Sequence, residues 1–182
     1  MEILKGNIVT LEPLCIPKHV KGYYEVSLDE NIHRYTGNTV PTHIGDIEKL
    51  LKLYETYFIN WMIISNDTQK VIGIIRLGKP EFENGILIAG ESQILSSKYW
   101  RKGHMKEAKR LFYQYVFQEL SVDVLYADVW EGNTNSMKSL ESYGYKLVET
   151  RKEMFSKIGE YANKYIYALT KSDYVHSLKN NA

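Results

Sequence analysis

Tyr99-Trp100-Arg101-Lys102-Gly103-His104-Met105-Lys106-Glu107-Ala108 lies where an apolar, strand-like run gives way to an amphipathic helical pattern. Arg101, Lys102, His104 and Lys106 crowd the first turn of that helix, with Lys98 just before and Lys109 and Arg110 just after. A helix N-terminus already carries partial positive charge, so Asp or Glu is the ordinary occupant. Cations gathered there, beside a glycine that lets the backbone come close, make sense if an anion binds. Free N–H groups and the helix dipole suit phosphate in particular. On charge alone, a solvated basic turn is the better reading.

Outward from this stretch, Ile86–Leu95 reads as the strand that enters it. Met105, Ala108, Leu111, Phe112, Tyr115, Val116 and Leu120 form the apolar stripe of the helix that leaves it. Asp123–Trp130 is a strand with apolar residues on both faces, as a covered central position requires. Asn135–Tyr143 is a short helix stopped by Gly144, and Tyr145–Glu149 with Asn163–Thr170 closes the sheet as a hairpin. Upstream, Ile8–Leu14 is a short strand bounded by Pro13 and Pro17. Val20–Leu28 and Ile44–Tyr57 are helices, and Asn60–Ser65 and Val71–Leu77 are strands joined by the turn Asn66-Asp67-Thr68. The polar stretch Lys171–Ala182 is expected to fray. The order β-α-α-β-β-β-α-β-α-β-β predicts an α+β (mixed α/β) fold, one domain over residues 1–182, with a central twisted mixed sheet flanked by helices.

Composition narrows the function classes. The chain has 182 residues, 44% hydrophobic and 25% charged, with a formal net charge of +1, so it has a sizeable core and no global bias toward nucleic acid. The basic cluster is therefore a local feature of a neutral chain. The single cysteine, Cys15, excludes an internal disulfide framework and reads as a small buried residue rather than a nucleophile. No run reaches the ~20 apolar residues of a membrane span. The expectation is a cytoplasmic protein with no membrane partner. Phosphate-loop, dinucleotide-fold and serine-hydrolase signatures are absent, and the five histidines are scattered, so no metal is expected.

A second motif follows the basic turn across one strand: Asn133-Thr134-Asn135-Ser136-Met137-Lys138-Ser139-Leu140-Glu141-Ser142-Tyr143-Gly144-Tyr145. A helix cap at Asn133 or Asn135 and a helix stop at Gly144 would explain much of it. With Trp100, Gly103, Glu107 and Ala108, however, the set Asn133, Ser136, Glu141, Gly144 and Tyr145 resembles the GCN5-related N-acetyltransferases, particularly the RimJ/RimL-like branch. Val71-Ile72-Gly73-Ile74-Ile75 also resembles the third strand of that family, and the element order matches over nearly the whole chain.

The resemblance implies acetyl-coenzyme A as acetyl donor. Trp100, Arg101, Lys102, Gly103, His104 and Met105 would wrap its pyrophosphate. Ile94 and Leu95 would offer main-chain contacts to pantetheine, and Asn133 and Ser136 would lie on the same cofactor. The acceptor would be a primary amine, on a protein or peptide N-terminus or on a small molecule such as a polyamine, amino sugar or antibiotic. An attacking α-amine must be neutral, although it titrates near ~7.7–8, so a base helps. Glu91 is the candidate base, although matching the acidic position of the family needs a one-residue shift, and a structural role is equally open. The departing thiolate needs an acid. The tyrosine that the family often supplies is Leu140 here, which points to Ser136, with Tyr143 second. Met105 replaces the usual small residue at the end of the loop. Leu140 and Met105 also keep open a non-catalytic coenzyme-sensing module, and the basic turn an RNA contact. Tyr23, Tyr24, Glu25, Asp29, Glu30 and Tyr35 could face a cationic acceptor or simply be core and surface residues. The family often forms homodimers.

Overall fold

Phe58–Ser65 is nearly uniform in its hydrophobicity because it is covered on both faces, and the first part of the fold is built around it. The structure, a computed structural model, describes residues 1–180. The chain packs as two compact units, Met1–Lys79 with Ser92–Leu120, and Pro80–Glu91 with the chain from Ser121 onward.

In the first unit, β1 (Leu4–Lys5), β2 (Val9–Pro13), β3 (Phe58–Ser65) and β4 (Val71–Gly78) form an antiparallel series in that order. Two helices, α1 (Ile16–Ser27) and α2 (Ile44–Tyr57), bring Tyr23, Val26, Leu51 and Tyr54 onto one face, against Met62, Ile64 and Ile74. On the other face lies α3 (His104–Gln118), where Trp61 meets Phe112 and Tyr115 edge-on at ring-centroid distances of 5.8 and 5.6 Å. Successive residues of a strand point to opposite faces, so Trp61 and its neighbour Met62 serve the two cores separately. Helix α1 starts earlier than its apolar spacing predicts because Pro17 sits in the first turn, where its missing N–H costs nothing. His43 and Asp46 close the start of α2: the His43 ring accepts from Gly45 N–H, and the Asp46 carboxylate accepts from His43 N–H at 3.0 Å. Cys15 is exposed at the N-cap of α1, not buried as expected, because the turn into the helix points its side chain outward.

The second unit contains β5 (Glu81–Glu83), the first part of β6 (Ile86–Leu95), β7 (Val124–Trp130), β8 (Lys146–Phe155) and β9 (Glu160–Thr170), with α4 (Thr134–Ser142) and α5 (Lys171–Asn180). A parallel pairing joins β6 to β7, from Ile88 opposite Val124 to Gly90 opposite Tyr126. Strand β7 pairs antiparallel with β9 through Trp130 opposite Lys164, and β9 pairs with β8. Strand β6 runs on from this unit into the first. The result is the expected mixed α+β fold, a mixed sheet flanked by helices, with two short strands added, β1 and β5.

The stretch expected to fray forms α5 instead. Thr170 Oγ1 accepts from Asp173 N–H at 3.1 Å and donates to the Asp173 carboxylate at 2.9 Å, and Tyr174 is buried beneath. Thr170-Lys171-Ser172-Asp173 is thus a capping pair at the spacing that starts helices. Residues 181 and 182 lie outside the described residues. Strand β8 continues well past Glu149, but most of its side chains are exposed, so no apolar alternation marks its length.

Candidate functional site

The basic turn is shaped by two left-handed residues. Arg101 has φ +58° and Gly103 φ +83°, and the helix begins only at His104. Arg101 and Lys102 therefore precede the first turn rather than belonging to it, and both are exposed. Lys109, counted with the basic cluster, is instead fully buried on α3, its ammonium 5.8 Å from the Tyr113 ring centroid. Gly103 is the N-cap of α3, and no side chain caps the helix. Its leading N–H groups are left for another acceptor.

The acidic residue of that first turn points elsewhere. Glu107 accepts hydrogen bonds from the backbone N–H groups of Asn7, Ile8 and Val9 at 2.9, 2.7 and 2.8 Å. Burial opposes its ionisation, but the three donors and the nearby Arg110 outweigh that and hold its carboxyl below the usual range. The helix start is thus freed of the carboxylate that would repel an anion. Trp100 folds back so that its indole N–H donates to the Leu95 carbonyl at 2.8 Å, which occupies one main-chain group expected to be open. His104 lies edge-on to Tyr99 at 5.0 Å. An uncapped helix start flanked by two exposed cations suits an anion.

The remaining candidates fall in the second unit. Asn133 caps α4, its side-chain oxygen accepting from Ser136 N–H at 3.4 Å. Ser136 is half-buried, and its hydroxyl makes no hydrogen bond among the described residues. Leu140 is buried in the core face of α4. Gly144 has φ +93° and ends the helix, and a Cβ there would come within 3.1 Å of the Asp173 carbonyl oxygen. Glu141 accepts from the Tyr167 hydroxyl at 3.2 Å. Glu91 is 6% exposed on β6. Burial, then the Glu91 charge and Tyr174, push the Tyr143 phenol well above its ordinary value. Asn133 is thus joined to Ser136 by a hydrogen bond, and the Glu91 charge is felt at Tyr143.

Two of the acceptor-facing candidates have structural roles. Tyr23 lies in the core, and burial raises its phenol. Asp29 takes the N–H groups of Ser97 and Asn31 at 2.6 and 3.2 Å. Among the described residues, no three His, Cys, Asp or Glu side chains are grouped to hold a metal. No helix among them is long and apolar enough to cross a membrane.

Solved structures that share this fold include N-acetyltransferases. A GCN5-related N-acetyltransferase from Brucella melitensis superposes with a TM-score of 0.85 at 22% identity, covering 98% of this chain and 82% of that one. RimL, a ribosomal L7/L12 alpha-N-protein acetyltransferase solved with coenzyme A, gives 0.79 at 15% identity, covering 93% and 98%. The acetyltransferase (GNAT) domain model matches residues 9–146, and the chain belongs to that family. An uncharacterised N-acetyltransferase, p20 of Bacillus licheniformis, is 24% identical over 151 residues, 80% of this chain and 84% of that protein.

Proposed function

We propose that this chain transfers an acetyl group from acetyl-coenzyme A to a primary amine by direct attack. The first acceptor class is a protein or peptide N-terminus, as in the RimJ/RimL-like branch. The observation that carries this reading is the uncapped start of α3, with Arg101 and Lys102 exposed and Glu107 withdrawn, in a member of an acetyltransferase family. The family match runs from residue 9 to residue 146 and so through both units, which supports reading them as one acetyltransferase domain.

The coenzyme supplies an activated acetyl thioester. Arg101, Lys102 and the leading N–H groups of α3 would hold its phosphates, with Trp100, Gly103, His104 and Met105 shaping the turn, and Ile94 main chain, Leu95 N–H and Asn133 adding contacts. Glu91 would take the proton of the attacking ammonium. Ser136, with its hydroxyl uncommitted, would donate a hydrogen bond to the departing thiolate, which leaves with the proton that the nitrogen sheds as the amide forms. Tyr143 would orient Glu91 rather than act as the acid. Its phenol, pushed up by burial and by the Glu91 charge, stays protonated and can donate to that carboxylate.

Calorimetry with acetyl-coenzyme A, followed by coenzyme-thiol release with peptide and small-amine acceptors, tests this. Binding with turnover on free-N-terminal peptides, and a lower kcat for Ser136→Ala at unchanged coenzyme affinity, is expected. Turnover on small amines alone would remove the N-terminal version. Binding without transfer to any amine would leave a sensor module, and no binding would overturn the whole reading.

A further inference from the structure

Arg76 has no role in the reaction as described, and its surroundings are unusual for a cation. It lies on β4 directly opposite Asn60 on β3, so the two side chains share a face of the sheet. That face is the one covered by α1 and α2, because Met62 and Ile74, two residues along on the same strands, pack there with Tyr23 and Leu51. Ser92 belongs to the same face. It lies on β6, the neighbour of β4 in the strand order, two residues before Ile94 of that cluster. Asn60, Arg76 and Ser92 thus make a polar row across three adjacent strands of the first unit.

None of the three is fully satisfied. The Arg76 guanidinium carbon lies 4.0 Å from the Tyr54 ring centroid and 5.1 Å from that of Phe58. Aromatic contacts hold such a group by its faces and leave its N–H edges for other partners. No hydrogen bond or ion pair engages those edges among the described residues, and Nε is closed to solvent. The Asn60 amide nitrogen is committed to the carbonyls of Tyr54 and Phe58 at 3.0 and 2.9 Å. This fixes which way the amide faces, and its oxygen is enclosed without a donor, as the Ser92 hydroxyl is enclosed without any partner. Buried polar groups in folded proteins are nearly always paired, so three together mark a place prepared for a ligand group.

A planar guanidinium with an open fork matches a carboxylate. The coenzyme phosphates are not its proposed target, because α3, whose start would hold them, packs on the opposite face of this sheet, where Trp61 meets Phe112. Ser92 instead follows Glu91, the proposed base, directly along β6. We propose that Arg76 and Ser92 anchor a carboxylate of the acceptor, with the Asn60 oxygen receiving an N–H of the same molecule. The acceptor is then an amine that also bears a carboxylate. This rests on the acetyl-transfer reading above and narrows its substrate class.

The test compares acceptors that differ only in that charge. 4-Aminobutyrate against its amide probes a small amino acid, and amidated tripeptides with Asp against Asn at the second position probe an acidic peptide N-terminus. Wild-type protein is expected to favour the carboxylate member of at least one pair by about tenfold or more in kcat/KM, the scale of one hydrogen bond to a charged group. Arg76→Gln should abolish that preference, and Arg76→Lys should restore part of it, both at unchanged affinity for acetyl-coenzyme A by calorimetry. Ser92→Ala should reduce the preference and serves as the readout should Arg76→Gln fail to fold. Turnover without preference in either wild-type pair, or a preference that survives both Arg76→Gln and Ser92→Ala, would overturn the inference and leave acetyl transfer standing. Absence of acetyl-coenzyme A binding by the wild-type protein would overturn both.

Discussion

Two helices of this chain begin in opposite ways. Helix α4 is closed by its own sequence, with Asn133 accepting from Ser136 N–H. Helix α3 begins at a left-handed glycine with no side-chain cap and two exposed cations before it, and the one carboxylate of its first turn is held by Asn7, Ile8 and Val9. A helix start that serves stability uses an Asn, Asp, Ser or Thr to satisfy its N–H groups. One that serves a ligand leaves them open and removes competing negative charge. Together with the withdrawal of Glu107, the contrast supports the anion site proposed at α3 more sharply than the cations alone.

The largest effect should follow from returning Glu107 to ordinary behaviour. Glu107→Ala strips three backbone N–H groups of a charged acceptor and should cost on the order of 2–4 kcal/mol at neutral pH, read from denaturant melts. Because its carboxyl is depressed in the folded chain, its contribution is present above the ordinary carboxyl range and disappears as pH falls through the folded value. The gap between wild type and Glu107→Ala should therefore be full at pH 7 and narrow markedly below about pH 4. A constant gap would mean that shape, not charge, fastens the N-terminal segment to α3.

Next comes the double variant Arg101→Ala, Lys102→Ala. Both side chains are exposed, so their removal should leave the melting temperature nearly unchanged. Acetyl-coenzyme A affinity should fall by about tenfold, two phosphate contacts at partly screened strength, and the loss should shrink as salt rises. Unchanged affinity would reduce the open start of α3 to a basic surface turn.

What the sequence disclosed, and what it hid, follows the range of each interaction. Signals written within a few residues survive: the apolar stripe of α3, the stop at Gly144 and the strand run of β3 are all legible. The T-x-x-D start at Thr170 is equally local and predicts α5, although the polarity of the tail obscures it. The grip of Glu107 on Asn7, Ile8 and Val9 spans about a hundred positions, so nothing near Glu107 announces it. Arg76 is hidden for the same reason, because only the fold brings Tyr54 and Phe58 over its guanidinium. The two-residue delay between the basic residues and the start of α3 depends on left-handed backbone at Arg101 and Gly103, and charge pattern alone does not encode that conformation.

The smallest effect tests the closed side of the comparison. Asn133→Ala removes the cap of α4, and since the bond to Ser136 N–H is long at 3.4 Å, the cost should lie near the low end for a cap, about 0.5–1 kcal/mol. Asn133→Asp keeps an acceptor at the same place and should recover most of that stability. If the cap is the chief role of Asn133, neither change should weaken acetyl-coenzyme A as much as losing Arg101 and Lys102 does. The opposite ranking, an intact melting temperature with a larger loss of affinity, would make the α4 start the stronger coenzyme contact and its hydrogen bond incidental. Phosphate binding would then no longer be the reason that α3 is left uncapped.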